Sequence, residues 1–139
     1  VYFSLGSNIN MNQDFSKEVV DAFINVFSKL NKTVLMKWGG KNYPQVASNI
    51  YMQDWFPQQE VLAHKNIKLY IMHGGQASSL EAVNFGVPVI GIPFFADQRR
   101  NVRRITSAGF GHLMDVDNLT ESSIAWAIDE VLNNERYKQ

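Results

Sequence analysis

Leu69-Tyr70-Ile71-Met72-His73-Gly74-Gly75-Gln76-Ala77-Ser78-Ser79-Leu80-Glu81-Ala82-Val83-Asn84-Phe85-Gly86-Val87-Pro88-Val89-Ile90-Gly91-Ile92-Pro93 is the stretch that decides the fold. Residues 69–72 are an unbroken apolar run, the mark of a strand buried on both faces. His73-Gly74-Gly75 punctuates that run. Residues 78–85 read as a short helix, stopped by Gly86 and then Pro88. Residues 87–92 are apolar again and end at Pro93. Two short strands joined through a helix must lie parallel in one sheet.

The same alternation extends both ways. Residues 1–5 predict a strand closed by Gly6-Ser7-Asn8. Phe15, Val19, Val20, Phe23, Val26, Phe27 and Leu30 recur every three or four residues, which predicts a helix over 14–30. Residues 33–38 form a second strand, 40–48 a loop, and 50–52 a weak third strand. A short helix follows Pro57, since proline suits a first helical turn. Beyond Pro93 come a helix over 97–108 stopped by Gly109 and a strand over 110–114. Thr120 caps a last helix with Glu121 in its first turn and Ile124, Ile128, Val131 and Leu132 as its stripe. Six strands alternating with helices predict an α/β domain, a Rossmann-like doubly wound parallel sheet.

The chain has 139 residues, enough for one domain with a real core. Hydrophobic residues make 45% and charged ones 19%, which excludes a disordered chain. Thirteen basic and thirteen acidic side chains cancel, so nucleic acid is not an expected partner. No apolar run reaches the length of a membrane span. Without cysteine there is no disulfide framework and no thiolate chemistry.

In open α/β sheets, ligands bind beyond the carboxyl ends of the strands. Four clusters follow strands and should share that rim: Ser4-Leu5-Gly6-Ser7, Asp54-Trp55-Phe56-Pro57-Gln58, His73 through Ser79, and Asp97-Gln98. The third carries the clearest chemistry. Its glycines allow close backbone approach, and the free N–H groups of a helix start attract phosphate. Ser78 and Ser79 add hydroxyl donors, and His73 an imidazole N–H. Glu81, one turn on, can accept from vicinal ribose hydroxyls. The plain alternative is a glycine turn with capping serines. Trp55 reads either as a base-stacking platform or as a core tryptophan. Asp97 and Gln98 suit sugar hydroxyls, although a first-turn acid also simply complements the helix dipole.

Other motifs are missing. No G-x-G-x-x-G follows the first strand, no P-loop occurs, and no nucleophile elbow. His64, His73 and His112 lack metal-ligand spacing, so no metal is expected. Arg99, Arg100, Arg103 and Arg104 make a basic helix face, by default a solvated one.

Taken in order, the clusters resemble the UDP-glycosyltransferase signature. They read Trp55-Phe56-Pro57-Gln58, Leu62, His64, His73-Gly74-Gly75, Glu81, Gly86-Val87-Pro88 and Pro93-Phe94-Phe95-Ala96-Asp97-Gln98. The opening Phe3-Ser4-Leu5-Gly6-Ser7 is similar to the family's first nucleotide-domain strand. Gly74, where plant members usually carry cysteine, favours the animal membrane-bound branch.

That resemblance implies the C-terminal half of a two-domain GT-B enzyme, the half that binds the UDP-sugar donor. It implies that Trp55 stacks on uracil, Gln58 contacts the nucleoside and Glu81 holds the ribose. His73, Gly75, Ser78 and Ser79 would line the diphosphate with help from Ser7, and Asp97 and Gln98 would grip the sugar. The donor would be UDP-glucose or UDP-glucuronate, with no cofactor besides. The acceptor, a small lipophilic molecule, would sit mainly on an absent N-terminal domain. The family's His–Asp catalytic pair belongs to that domain too, so no catalytic residue is expected in this chain. The reaction would be inverting, its role detoxification, and its place the lumenal side of the endoplasmic reticulum membrane, anchored by a helix beyond Gln139. Two sequons, Asn31-Lys32-Thr33 and Asn118-Leu119-Thr120, suit a lumenal domain. The abrupt opening at Val1 fits a piece of a longer chain. One departure stands out: Ala77 occupies a position where many members carry a phosphate-contacting Asn. Two other readings remain at this stage: a donor fold that has become a binding module, and a sugar-nucleotide epimerase.

Overall fold

The computed structural model describes residues 1–5, 14–39, 43–134 and 137. Six strands form one sheet: β1 (Tyr2–Ser4), β2 (Val34–Lys37), β3 (Ile50–Gln53), β4 (Tyr70–Met72), β5 (Val89–Gly91) and β6 (Gly111–Leu113). Their order is β3-β2-β1-β4-β5-β6, and every pairing is parallel. This is the strand order of the dinucleotide-binding Rossmann sheet. The chain winds outward from β1 to β3, returns to the centre at β4, and winds outward again to β6. The switch point lies between β1 and β4, where Ser4 faces Met72 across the ladder.

Helices cover both faces. On one side lie α1 (Lys17–Ser28) and α5 (Glu121–Asn133). Under them pack Phe3, Phe23, Phe27, Met36, Trp38, Ile71, Ile90, Ile124 and Ile128. On the other side lie α2 (Gln58–Ala63), α3 (Gln76–Asn84) and α4 (Ala96–Ser107). Tyr2, Phe56, Leu62, Tyr70, Met72, Ala82, Val89 and Ile105 fill that core. Alternation along each strand sends neighbouring residues to opposite cores, as Tyr2 and Phe3 show.

The expected alternation of elements holds, and the ends differ for local reasons. The first helix begins at Lys17 because the Ser16 hydroxyl caps Val19 N–H. It ends at Ser28, short of the expected Leu30. Helix α3 starts at Gln76, two residues before the expected Ser78. Its N-cap is Gly75, which has no side chain to hold the first turn. Gly86 (φ 66°) and Gly109 (φ 85°) follow the C-caps of α3 and α4 and end both helices. Thr120 caps α5 by accepting from Ser123 N–H. A 3-10 turn, Val116–Asn118, precedes it and carries no periodic signal in the sequence.

Candidate functional site

With all strands parallel, the segments after β1, β3, β4 and β5 emerge on one edge. They carry Leu5, Asp54-Trp55, His73-Gly74-Gly75 and the 93–98 loop. The expected convergence of the four clusters is therefore met for the described residues. Ser7 and Gly6 lie outside the described residues.

The turn after β4 sits at the switch point and is shaped by close packing. Gly74 has φ 95°, a conformation open to glycine at little cost. A Cβ there would lie 2.7 Å from both the Gln98 carbonyl and Val102 Cγ2. Asn101 Nδ2 donates to the Gly74 carbonyl at 2.9 Å. A Cβ on Gly75 would meet His73 Nε2 at 2.8 Å, so the imidazole lies against the bare backbone of the helix entry.

Helix α3 begins there with its N–H groups open. The first intrahelical bond runs from Ser79 N–H to the Gly75 carbonyl, and no side chain caps the entry. The N–H groups of Gln76, Ala77 and Ser78 precede that bond and have no helical partner. The two serines then part company. Ser79 is buried, and its hydroxyl donates back to the Gly75 carbonyl at 2.8 Å. Ser78 turns toward α2, where its Oγ accepts from Gln58 Nε2 at 3.2 Å. Neither serves as a cap.

Gln58 is held from below as well. The Tyr2 hydroxyl donates to its Oε1 at 3.2 Å. Tyr2 stacks on Tyr70 with ring centroids 5.1 Å apart and meets Phe56 edge-on at 5.8 Å. Burial raises both tyrosine pKa values, and the Glu81 charge raises them further. Glu81 follows Ser78 by one turn of α3, and its Oε2 is buried without a hydrogen-bond partner.

His73 is half-buried. Burial is the main force holding its pKa below the ordinary value; Lys37 adds to this and Asp97 opposes it. The ring is neutral at pH 7, and its Nδ1 is buried without a partner. Trp55 is 68% exposed, which overturns the core-tryptophan alternative; Trp38, 1% exposed, holds that place. Asp97 is exposed in the first turn of α4. Gln98 Oε1 accepts from Phe94 and Phe95 N–H at 2.8 and 3.2 Å, leaving its amide nitrogen toward other partners. The four arginines of α4 line an open groove of about 790 Å³, and Arg99 lies 3.9 Å from Asp115. Among the described residues, no three His, Asp or Glu are grouped to hold a metal ion. No helix among them is long and apolar enough to cross a membrane.

Native proteins seldom leave a buried polar atom unpaired. Here His73 Nδ1 and Glu81 Oε2 are both unpaired, beside an uncapped helix start. That set suits a ligand with an anionic group, hydroxyls and a flat ring. The sequence family described as UDP-glucoronosyl and UDP-glucosyl transferase matches residues 1–139. The chain belongs to this family.

Relatives agree with that assignment. UDP-glycosyltransferase UGT5 of Dactylopius coccus is 42% identical over all of this chain, which spans 26% of its length. UDP-glucuronosyltransferase 3A1 of Mus musculus is 37% identical over 99% of the chain, which spans 27% of it. The chain therefore covers about a quarter of such UDP-glycosyltransferases. Among solved structures, the calicheamicin glycosyltransferase CalG4 superposes with a TM-score of 0.80 at 27% identity, over 98% of this chain and 34% of that one. A UDP-glucosyltransferase from Polygonum tinctorium, capable of glucosylating indoxyl, gives 0.78 at 25% identity over 98% and 33%. The architecture is that of the GT-B glycosyltransferases.

Sequence reasoning missed three residues that shape this rim. Asn101 looks like one polar residue in a basic helix. Tyr2 and Tyr70 look like strand filler. Asn101 and Tyr2 bond to partners 27 and 56 residues away, and Tyr70 stacks on Tyr2 from a distant strand, so no local pattern marks them.

Proposed function

We propose that this chain is the donor-binding half of an inverting UDP-glycosyltransferase, with the acceptor and the catalytic His–Asp pair on a preceding domain. The observation that carries this reading is the pair of unpartnered buried atoms, His73 Nδ1 and Glu81 Oε2, flanking the open start of α3. A UDP-sugar supplies partners for all of them. Trp55 offers its exposed face to uracil, a contact worth about 1–3 kcal/mol. Gln58 meets the nucleoside, and Glu81 accepts from the two ribose hydroxyls. The diphosphate lies across the N–H groups of Gln76, Ala77 and Ser78, beside Gly75 and His73. Backbone N–H groups there offset the amide lost at Ala77. Ser79 shapes the helix entry through its bond to Gly75, while Ser7 adds to the phosphate set. Asp97 and the free amide of Gln98 hold the sugar.

In the reaction, a base on the other domain takes the proton of an acceptor hydroxyl, and the oxygen attacks the anomeric carbon. The bond from that carbon to the UDP oxygen breaks, and UDP leaves with the electron pair. This half stabilises the leaving group through preorganised donors. The transferred sugar is glucose or glucuronate, the acceptor a small lipophilic molecule, and the role detoxification. We place the full protein at the lumenal side of the endoplasmic reticulum membrane, a setting that the exposed Asn31 and Asn118 suit.

Titration of the chain with UDP, followed by tryptophan fluorescence, tests the reading. The expected result is a weak saturable change with no transfer activity. No response at millimolar UDP overturns it in favour of a binding module. Glu81→Ala should weaken UDP by about tenfold or more, as expected for hydrogen bonds to a charged group, and leave pyrophosphate unchanged. Equal losses for both ligands would remove the ribose role.

A further inference from the structure

We propose that Tyr2 is a positioning residue of the donor site: its hydroxyl seats Gln58 against Ser78 and so ties the nucleoside side of the rim to the phosphate side. The inference rests on the donor reading above and adds a residue from the floor of the sheet to it.

The position of Tyr2 argues for a purpose beyond packing. It is 1% exposed, in a cluster that is otherwise mostly hydrocarbon. Phenylalanine would make the same edge contact to Phe56 and the same stack on Tyr70. A hydroxyl placed there must find a partner or lose free energy. The partner it finds is Gln58 Oε1, 56 residues away in sequence, in the first turn of a six-residue helix. That helix enters at Pro57, and no side chain caps it. The amide of Gln58 therefore takes its seat from two outside contacts, Tyr2 below and Ser78 beside.

Tyr70 completes the support. It pairs in register with Tyr2, so both rings leave the sheet on one face. Its ring stacks on that of Tyr2 with centroids 5.1 Å apart and holds it beneath Gln58. The line Tyr2–Gln58–Ser78 thus joins the central strand to the first turns of two helices. Both hydroxyls are protonated at neutral pH, as any tyrosine is, and burial with the Glu81 charge raises their pKa values further. A free glutamine side chain must give up rotamer freedom when it meets a ligand. Here that freedom is already gone before the ligand arrives, which is preorganisation.

Tyr2→Phe tests this in the 139-residue chain, because it removes one oxygen and keeps both ring contacts. In the ligand-free protein, the side-chain amide resonances of Gln58 should move toward those of a free glutamine. UDP affinity should fall about threefold to tenfold, the range of one neutral hydrogen bond. In a Gln58→Ala background, the same substitution should leave UDP affinity unchanged, because Tyr2 acts through Gln58. A purely structural role predicts the opposite: equal losses with and without Gln58. Equal losses, or unmoved Gln58 resonances, overturn the proposal. If Tyr2→Phe does not fold, Ser78→Ala releases the amide from its other end. The Gln58 resonances must then move, and unmoved ones overturn the proposal. Wild-type chain that ignores millimolar UDP overturns the donor reading. The ligand-free resonances still show by themselves whether Tyr2 holds Gln58.

Discussion

Under α1 and α5, the sheet presents Phe3, Met36, Ile71 and Ile90 to Phe23, Phe27, Ile124 and Ile128, side chains without a hydroxyl or amide. Under α2, α3 and α4, it presents Tyr2, Tyr70, Met72 and Val89, and two of these four end in hydroxyls. Both faces are sealed, and the second sends the Tyr2 hydroxyl up to Gln58 in the rim. The first face anchors the fold and the second also aims the site. Damage to the first should therefore cost stability and spare binding, whereas damage at the rim above the second should do the reverse.

The sharpest way to break that contrast is Phe27→Ala. Phe27 is fully buried and meets the rings of Phe3 and Phe23. The loss should be about 3–5 kcal/mol by urea unfolding. The folded fraction should still bind UDP within about twofold of the wild type, because distant sites act independently. A large loss of affinity per folded molecule would show that the two faces are coupled.

Gly74→Ala comes next and should strike both properties. It forces a side chain into φ 95° and into contact with Gln98 and Val102. About 2–4 kcal/mol of stability should go, by the combined cost of strain and overpacking. UDP affinity should fall with it, since the turn carries His73 and the start of α3. Unchanged affinity would remove that turn from the site.

The smallest effect concerns His73, and its sign is fixed by burial. The folded chain holds its imidazole below the ordinary value, so the unfolded chain takes up the proton first as pH falls. Stability should decline as pH drops below about 6.5 and level off beneath the lowered native pKa. His73→Gln should flatten that part of the stability-against-pH curve measured by urea unfolding. Identical slopes for both proteins would contradict the burial of the ring. Asp97 and Lys37 also face this imidazole, so the comparison is made between variants that keep both.

Much of this was legible in the chain itself. Short apolar runs between glycine stops gave the strands, because a strand buried on both faces has no polar positions to show. Gly86 and Gly109 marked helix ends because only a residue without Cβ settles there cheaply. Trp55 was ambiguous in sequence, since a tryptophan serves equally well as core or platform; exposure decides between them. Ser78 and Ser79 were indistinguishable for a similar reason. The helix turn points one at Gln58 and folds the other back on Gly75, and that split depends on where the helix begins. The bond from Asn101 to Gly74 and the bond from Tyr2 to Gln58 span 27 and 56 residues. Contacts of that reach leave no periodic trace.

The central strand has one more consequence. β1 lies between β2 and β4, whose residues come more than thirty and more than sixty positions later. No pair of neighbouring segments can assemble the rim alone; its four corners meet only after the crossovers have closed. Parallel sheets of this kind fold slowly because loop closure comes before the contacts that reward it. The proposed donor site is thus a late event in the life of the chain. A UDP-responsive signal during refolding should lag behind helix formation and mark the moment at which the last crossover is in place.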